Sequence, residues 1–236
     1  MPRFIHRPYA PMYVLPLLAV AVWLLNLGPA WDDVVSGWFF HALQASPDPL
    51  SQWALPKSNE ALNWWLHKLP RTMFTVLGVV TLLIWLASYV RASLSAYRRM
   101  AALVTLAVIL VPTAVALLKE YSGHYCPNRL ARYGGLAPDN YAELAVIPEY
   151  ASKADCYPAA HPSPGWALMI LGIGAVTPRR RWLGIGLGVV AGGTLSMIQI
   201  ARGEHFLSHN IATALIAWWI GWALCRAYDR LSTRKS

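Results

Sequence analysis

The chain has 236 residues, 56% of them hydrophobic and only 13% charged, with 12 Trp, which is too apolar for a soluble domain of this length. Its formal net charge of +9 is carried by short basic clusters between apolar runs and not by a continuous stripe. That excludes a nucleic-acid-binding surface and points to topology signals in a membrane protein.

A membrane-crossing helix needs roughly 20 apolar residues for a hydrocarbon core of about 30 Å. Six runs approach this, at 12–29, 72–90, 100–118, 164–176, 182–200 and 209–228. Arg3 and Arg7 precede the first as in a signal peptide, but Leu27-Gly28-Pro29-Ala30 lacks the small residue of a cleavage site, so a retained helix is predicted. The fourth run is short and borrows length from its flanks. With no internal repeat, residues 1–236 read as a single all-α domain, a bundle of six transmembrane helices.

Between the first two runs, "WDDVVSGWFFHALQ" sets Val34, Val35, Trp38, Phe39 and Leu43 at helical spacing behind Asp32 and Asp33. This predicts an amphipathic interfacial helix that starts at the two acids. "LNWWLHKLPR" adds an aromatic cluster read as headgroup-level anchoring. Segment 119–163 is punctuated by Pro127, Gly134, Gly135, Pro138, Pro148 and Pro158 and is expected to fold over the bundle as a loop region.

Lys and Arg resist translocation. One set of helix ends carries Arg3, Arg7, Arg91, Arg98, Arg99, Arg179, Arg180, Arg181, Arg226, Arg230, Arg234 and Lys235 against the single acid Asp229; every other acid lies at the opposite ends. Both termini are therefore expected to be cytoplasmic, with 30–71, 119–163 and 201–208 outside. Cys126 and Cys156 share the second outer segment, where an oxidising compartment favours a disulfide between them; Cys225 sits near the cytoplasmic end of the last run.

Three outward positions place a cation or an imidazole at the end of an apolar run. They are Lys119 in "LLKEYSGHYCPNR", His161 in "YPAAHPSPGW", and Arg202, His205 and His209 in "ARGEHFLSHNIAT". Each has an ordinary explanation alone, since a Lys snorkels and a His between prolines is a turn residue. Their convergence on one face suggests function, because ionisable groups near membrane depth are costly. Lys and Arg can hold an oxyanion while imidazoles attack phosphorus or move a proton, so a phosphate ester is the expected client. The competing chemistry is zinc held by His205 and His209, four residues apart, with Glu204, His124 or His161 recruited.

Over the last four runs the chain resembles the type 2 phosphatidic acid phosphatase (PAP2) family, whose signatures are KxxxxxxRP, PSGH and SRxxxxxHxxxD. "KEYSGHYCP" matches the first with Lys119 and Pro127, and has Cys126 in place of the arginine. "PAAH" matches the second with Pro158 and His161, and has Ala159 and Ala160 for Ser and Gly. "QIARGEHFLSH" matches the third with His205, and has Gln199 for Arg and His209 for Asp.

The resemblance implies a phosphatase or phosphotransferase acting on a lipid phosphate through a phosphohistidine, without cofactor or metal. His205 is the implied nucleophile and His161 the implied acid, with His209 in the place of the aspartate that orients the nucleophile. Lys119 grips the phosphate, Arg202 and Arg129 replace the missing arginines, and Glu204 and His124 are possible supports. Undecaprenyl pyrophosphate, lipid A phosphate, phosphatidylglycerol phosphate and phosphatidic acid are candidate substrates. The expected setting is the periplasmic face of a bacterial inner membrane, with the lipid bilayer and substrate as partners and oligomeric state left open. The alternative is a catalytically degenerate relative that binds or moves an anionic lipid, motivated by the departures at Cys126, Ala159, Gln199 and His209.

Overall fold

A computed structural model describes residues 27–40, 52–137, 139 and 155–233. The predicted run 12–29 lies almost wholly outside the described residues, as do Leu43 and Lys153. Among the described residues the chain is all-helical, without strands. Its elements are α1 (Leu27–Phe40), α2 (Glu60–Ala87), α3 (Arg98–Glu120), the short pair α4 (Ser163–Ala167) and α5 (Ile170–Ile173), α6 (Pro178–Ala201) and α7 (Leu207–Thr233). Four of them, α2, α3, α6 and α7, are long and apolar enough to cross a membrane.

Local chemistry fixes the ends. Asn59 caps α2 by accepting the Leu62 N–H at 3.1 Å, and Thr177 caps α6 ahead of Pro178, whose missing N–H costs nothing in a first turn. α2 begins well before predicted residue 72, because "EALNWWLHKLPR" continues the helix outward through one π-helical turn, Trp64–Lys68. The aromatic cluster is thus the outer end of a spanning helix.

The fourth run is broken into α4 and α5, which together cover only Ser163–Ile173 and fall short of a full crossing. Its glycines bring it against α6 more closely than a side chain would permit. A Cβ on Gly165 would meet Gly192 backbone at 2.9 Å, and one on Gly184 would meet Gly172 N at 2.3 Å. Trp166 Nε1 donates to Ser196 Oγ at 3.1 Å across the same seam. The core of Leu103, Val111, Ile170, Ile173, Ile185 and Trp218 forms where α3, α6 and α7 enclose this pair. By contrast, no residue of Leu69–Ala87 in α2 is buried, so α2 leans on α3 from outside.

α1 departs from its sequence reading. It starts at Leu27, so Asp32 and Asp33 fall within the helix and not at its N-terminus. Asp32 is buried and accepts the Ser208 N–H at 2.7 Å and the Ser208 hydroxyl, capping α7. Trp31 and Trp38 occupy the exposed face. At the opposite end of the bundle Arg99 pairs with Asp229 at 3.0 Å and donates to the Gly174 carbonyl, closing the basic end.

Candidate functional site

The start of α2 and the ends of α3 and α6 meet the turns that open α4 and α7. There they surround a cavity of ≈ 680 Å³. Lys119, His161, Gln199, Glu204, His205, His67 and Arg71 line its polar head. Below them one face of α2, down to Leu82, and a face of α3 from Ala116 to Val108 form an apolar slot. From His67 to Leu82 the slot runs about 22 Å along the helix. Pro112 also lines it. A proline there cannot donate to the Val108 carbonyl four residues back.

His205 sits in the tight turn between α6 and α7. Gly203 adopts φ +69°, which the turn requires, and a Cβ there would strike the Trp53 ring at 2.3 Å. Trp53, 1% exposed, is itself wedged edge-on against Phe40 and tilted against Tyr133. Asn128 N–H donates to the Gly203 carbonyl at 2.9 Å, and Glu204 Oε1 accepts from Lys57 Nζ at 2.9 Å and Asn128 Nδ2 at 3.0 Å. Burial works to raise the Glu204 pKa, but the Lys57 contact, with the His205 and Arg202 charges, holds the carboxyl below its ordinary range.

The structure links Cys126 to Cys156 by a disulfide, which sets Cys156 beside the imidazoles. His205 Nδ1 lies 3.5 Å from Cys156 Sγ. A disulfide sulfur carries no hydrogen, so Nδ1 is the donor, and the lone pair falls on Nε2. Burial, reinforced by the Lys119 charge, pushes the His205 pKa down to about 3, while Glu204 and a hydrogen bond with the Cys156 backbone oppose it. A neutral ring with a free Nε2 is the form that can attack phosphorus. His205, His209 and Cys156 place ligand atoms within 4.8 Å of one another, but the sulfur is committed to the disulfide and cannot act as a thiolate ligand.

His161, at the mouth of α4, has its Nε2 buried without a partner. Burial, followed by the His67 ring, pushes its pKa down to about 4. Its ring stacks on His67 with centroids 4.2 Å apart. Ala159, fully buried, is locked to α7, with its N–H donating to the His209 carbonyl at 3.2 Å and its carbonyl accepting from Thr213 Oγ1 at 2.9 Å.

Of the sequence candidates, Lys119, His161, Glu204 and His205 share the cavity. Arg202 does not line it: the side chain is buried, Nη2 donates to Asn63 Oδ1 at 2.9 Å, and Nε and Nη1 have no hydrogen-bond partner. Arg129 is also off the lining; its Nη1 is 3.8 Å from Asp155, whose other oxygen is 4.0 Å from Lys119 Nζ. His209 is buried behind His205, ring centroids 5.9 Å apart, and the His205 Nδ1 partner is Cys156 instead. His124 is turned to the Ser122 carbonyl and the Tyr157 ring.

Three lining residues escaped the sequence reading. Gln199, counted as a lost arginine, is buried with an unpartnered Nε2 on the cavity wall. His67 and Arg71 were absorbed into an anchoring cluster; their i, i+4 spacing, one helix face, was the available signal.

A helical bundle with an imidazole pair and a lysine at the head of an apolar slot defines a membrane protein equipped for phosphoryl chemistry. The PAP2 superfamily model matches residues 98–232, more than half of the chain, and the protein belongs to that superfamily. Its members are generally phosphatases and phosphotransferases acting on phosphate esters. Comparison with curated proteins and with solved structures gives no match.

Proposed function

We propose that the protein is a lipid phosphate phosphatase or phosphotransferase working through a phosphohistidine. The observation that carries this reading is the single cavity in which Lys119, His161 and His205 stand at the head of a slot walled by apolar residues of α2 and α3. A phosphate at the head and an acyl or prenyl tail in the slot match this polarity, and a tailless ester leaves the apolar part unused.

In this mechanism Lys119 and Gln199 Nε2 contact the phosphate oxygens. Arg202 adds positive charge from behind His161, and Arg129 adds it across Asp155, whose carboxylate the phosphate displaces from Lys119. His205 Nε2 attacks in line, held by Cys156 in the role the family gives its aspartate, with His209 packing behind. His161 protonates the leaving oxygen, and water or a second lipid hydroxyl then takes the phosphoryl group from His205. Lowering of the His161 pKa in the empty site is offset once a phosphate dianion sits beside it, since an opposite charge favours the imidazolium. The charge pattern of the loops supports an outward orientation for this end of the bundle, which in a bacterial inner membrane is the periplasmic face.

The test is phosphate release from lipid phosphates by the detergent-purified protein, with and without chelator, beside His205→Ala. Release that resists chelator and falls by about 10⁴-fold or more in the variant, with a trapped phosphohistidine in the parent, is expected. Full activity in the variant overturns the nucleophile assignment. Binding without release from any lipid makes the protein a lipid-binding relative instead.

A further inference from the structure

His67 precedes the segment matched by the family model, which begins at residue 98, yet its ring lies on that of His161 with planes only 8° from parallel. Near-parallel contact at a centroid separation of 4.2 Å fixes the plane of the His161 ring.

Arg71, one turn along α2, Lys57, Arg202 and Glu204 are the charged groups that bear on the His67–His161 pair. Glu204, the one acid, is already occupied by Lys57 and Asn128. The stack ties the outer end of α2 to the rest of the site, alongside a hydrogen bond between His161 and the Leu66 backbone and the Asn63–Arg202 hydrogen bond at 2.9 Å.

We infer that His67 is a positioning residue for the acid: by stacking on it, His67 fixes the plane of the His161 ring at the cavity head, and with it the direction of the unpartnered Nε2. This rests on the role proposed above for His161. In the assisted step the bond from His205 Nε2 to phosphorus forms as the ester P–O bond breaks. The electron pair of that bond stays on the leaving oxygen, which takes the Nε2 proton and departs as an alcohol, leaving His161 neutral against His67.

The experiment compares wild type, His67→Ala, His67→Phe and His161→Ala on a short-chain phosphatidic acid and on p-nitrophenyl phosphate, whose nitrophenolate leaves without a proton. For His67→Ala, kcat on the lipid is expected to fall roughly 10- to 100-fold, with KM and the p-nitrophenyl rate within about threefold of wild type. His67→Phe, which keeps a flat face under His161, recovers most of the lipid rate. His161→Ala shows the same substrate dependence more strongly. Melting temperatures in detergent check that each variant is folded. Equal losses on both substrates for His67→Ala, or none on either, overturn the inference while leaving His161 as acid if its own variant keeps the substrate dependence. If His161→Ala lacks that dependence, the acid assignment falls and the role of His67 falls with it.

Discussion

Replacing Gly203 by alanine tests whether the α6–α7 turn holds the nucleophile as described. The backbone there has φ +69°, and the new methyl would sit 2.3 Å from a Trp53 ring that is 1% exposed and pinned by Phe40 and Tyr133. The left-handed conformation costs a non-glycine residue about 1–2 kcal/mol, and overpacking a site that cannot relax costs about 1–3 kcal/mol. The variant should therefore lose roughly 2–5 kcal/mol, or about 5–15 °C in melting temperature for a chain of this size. The turn also carries Glu204 and His205, and the Gly203 carbonyl holds Asn128. A displacement of about 1 Å at the attacking nitrogen can cost on the order of 10²-fold in kcat. Thermal unfolding in detergent and steady-state hydrolysis of a lipid phosphate read the two effects separately. Gly193→Ala is the control, because a Cβ there meets nothing within 4 Å; it should match or slightly exceed wild-type stability. A Gly203→Ala protein with wild-type melting and wild-type kcat would refute the packing argument and the link from Trp53 to His205.

Two further outcomes follow from the same geometry. Cys126→Ser, or reduction, opens a loop closed over a sequence separation of 30 and should cost about 2–4 kcal/mol; because Cys156 backs His205 Nδ1, activity should fall before global unfolding, as titration with reductant against both readouts will show. His161 and His205 have pKa values lowered to about 4 and about 3. Their contribution to stability is thus fully present above the ordinary value of 6.5 and is lost as pH falls through the window from 6.5 toward 3. Melting temperature should drop across that window, and a bound phosphate or vanadate should flatten the drop by favouring the charged rings; an unchanged slope with ligand would argue against the anion sitting beside them.

The sequence made the bundle legible where apolar runs were long and their ends charged, as at α3, α6 and α7. The first part of α2 was missed because Trp64, Trp65 and His67 interrupt hydrophobicity without interrupting the helix, and hydropathy reports solubility in lipid and not helical hydrogen bonding. α1 was found but started late, since Asp32 and Asp33 look like first-turn acids, while Asp32 in fact caps a helix 176 residues away. Lys119, His161 and His205 could be picked out because each ends a run and fits a motif. The contact of Cys156 with His205 was not legible, because it depends on a disulfide and a long loop bringing 156 to 205. Nor was the contribution of His67, which comes from an element with no signature of its own.

The shortness of α4 and α5 has a consequence for how the site exists at all. Gly165 and Trp166 pack at the level of Gly192 and Ser196 in α6, which continues outward to Ala201. From that level to the end of α6 is five to nine residues, or about 8–14 Å. A fourth helix continued outward from α4 would run into the cavity head lined by His161, Gln199 and His205. Pro158, Pro162 and Pro164 forbid that extension, each by withholding an amide hydrogen. The reactive chamber is thus the imprint of turns the chain never forms, and its depth below the bundle rim is written in where the prolines stop.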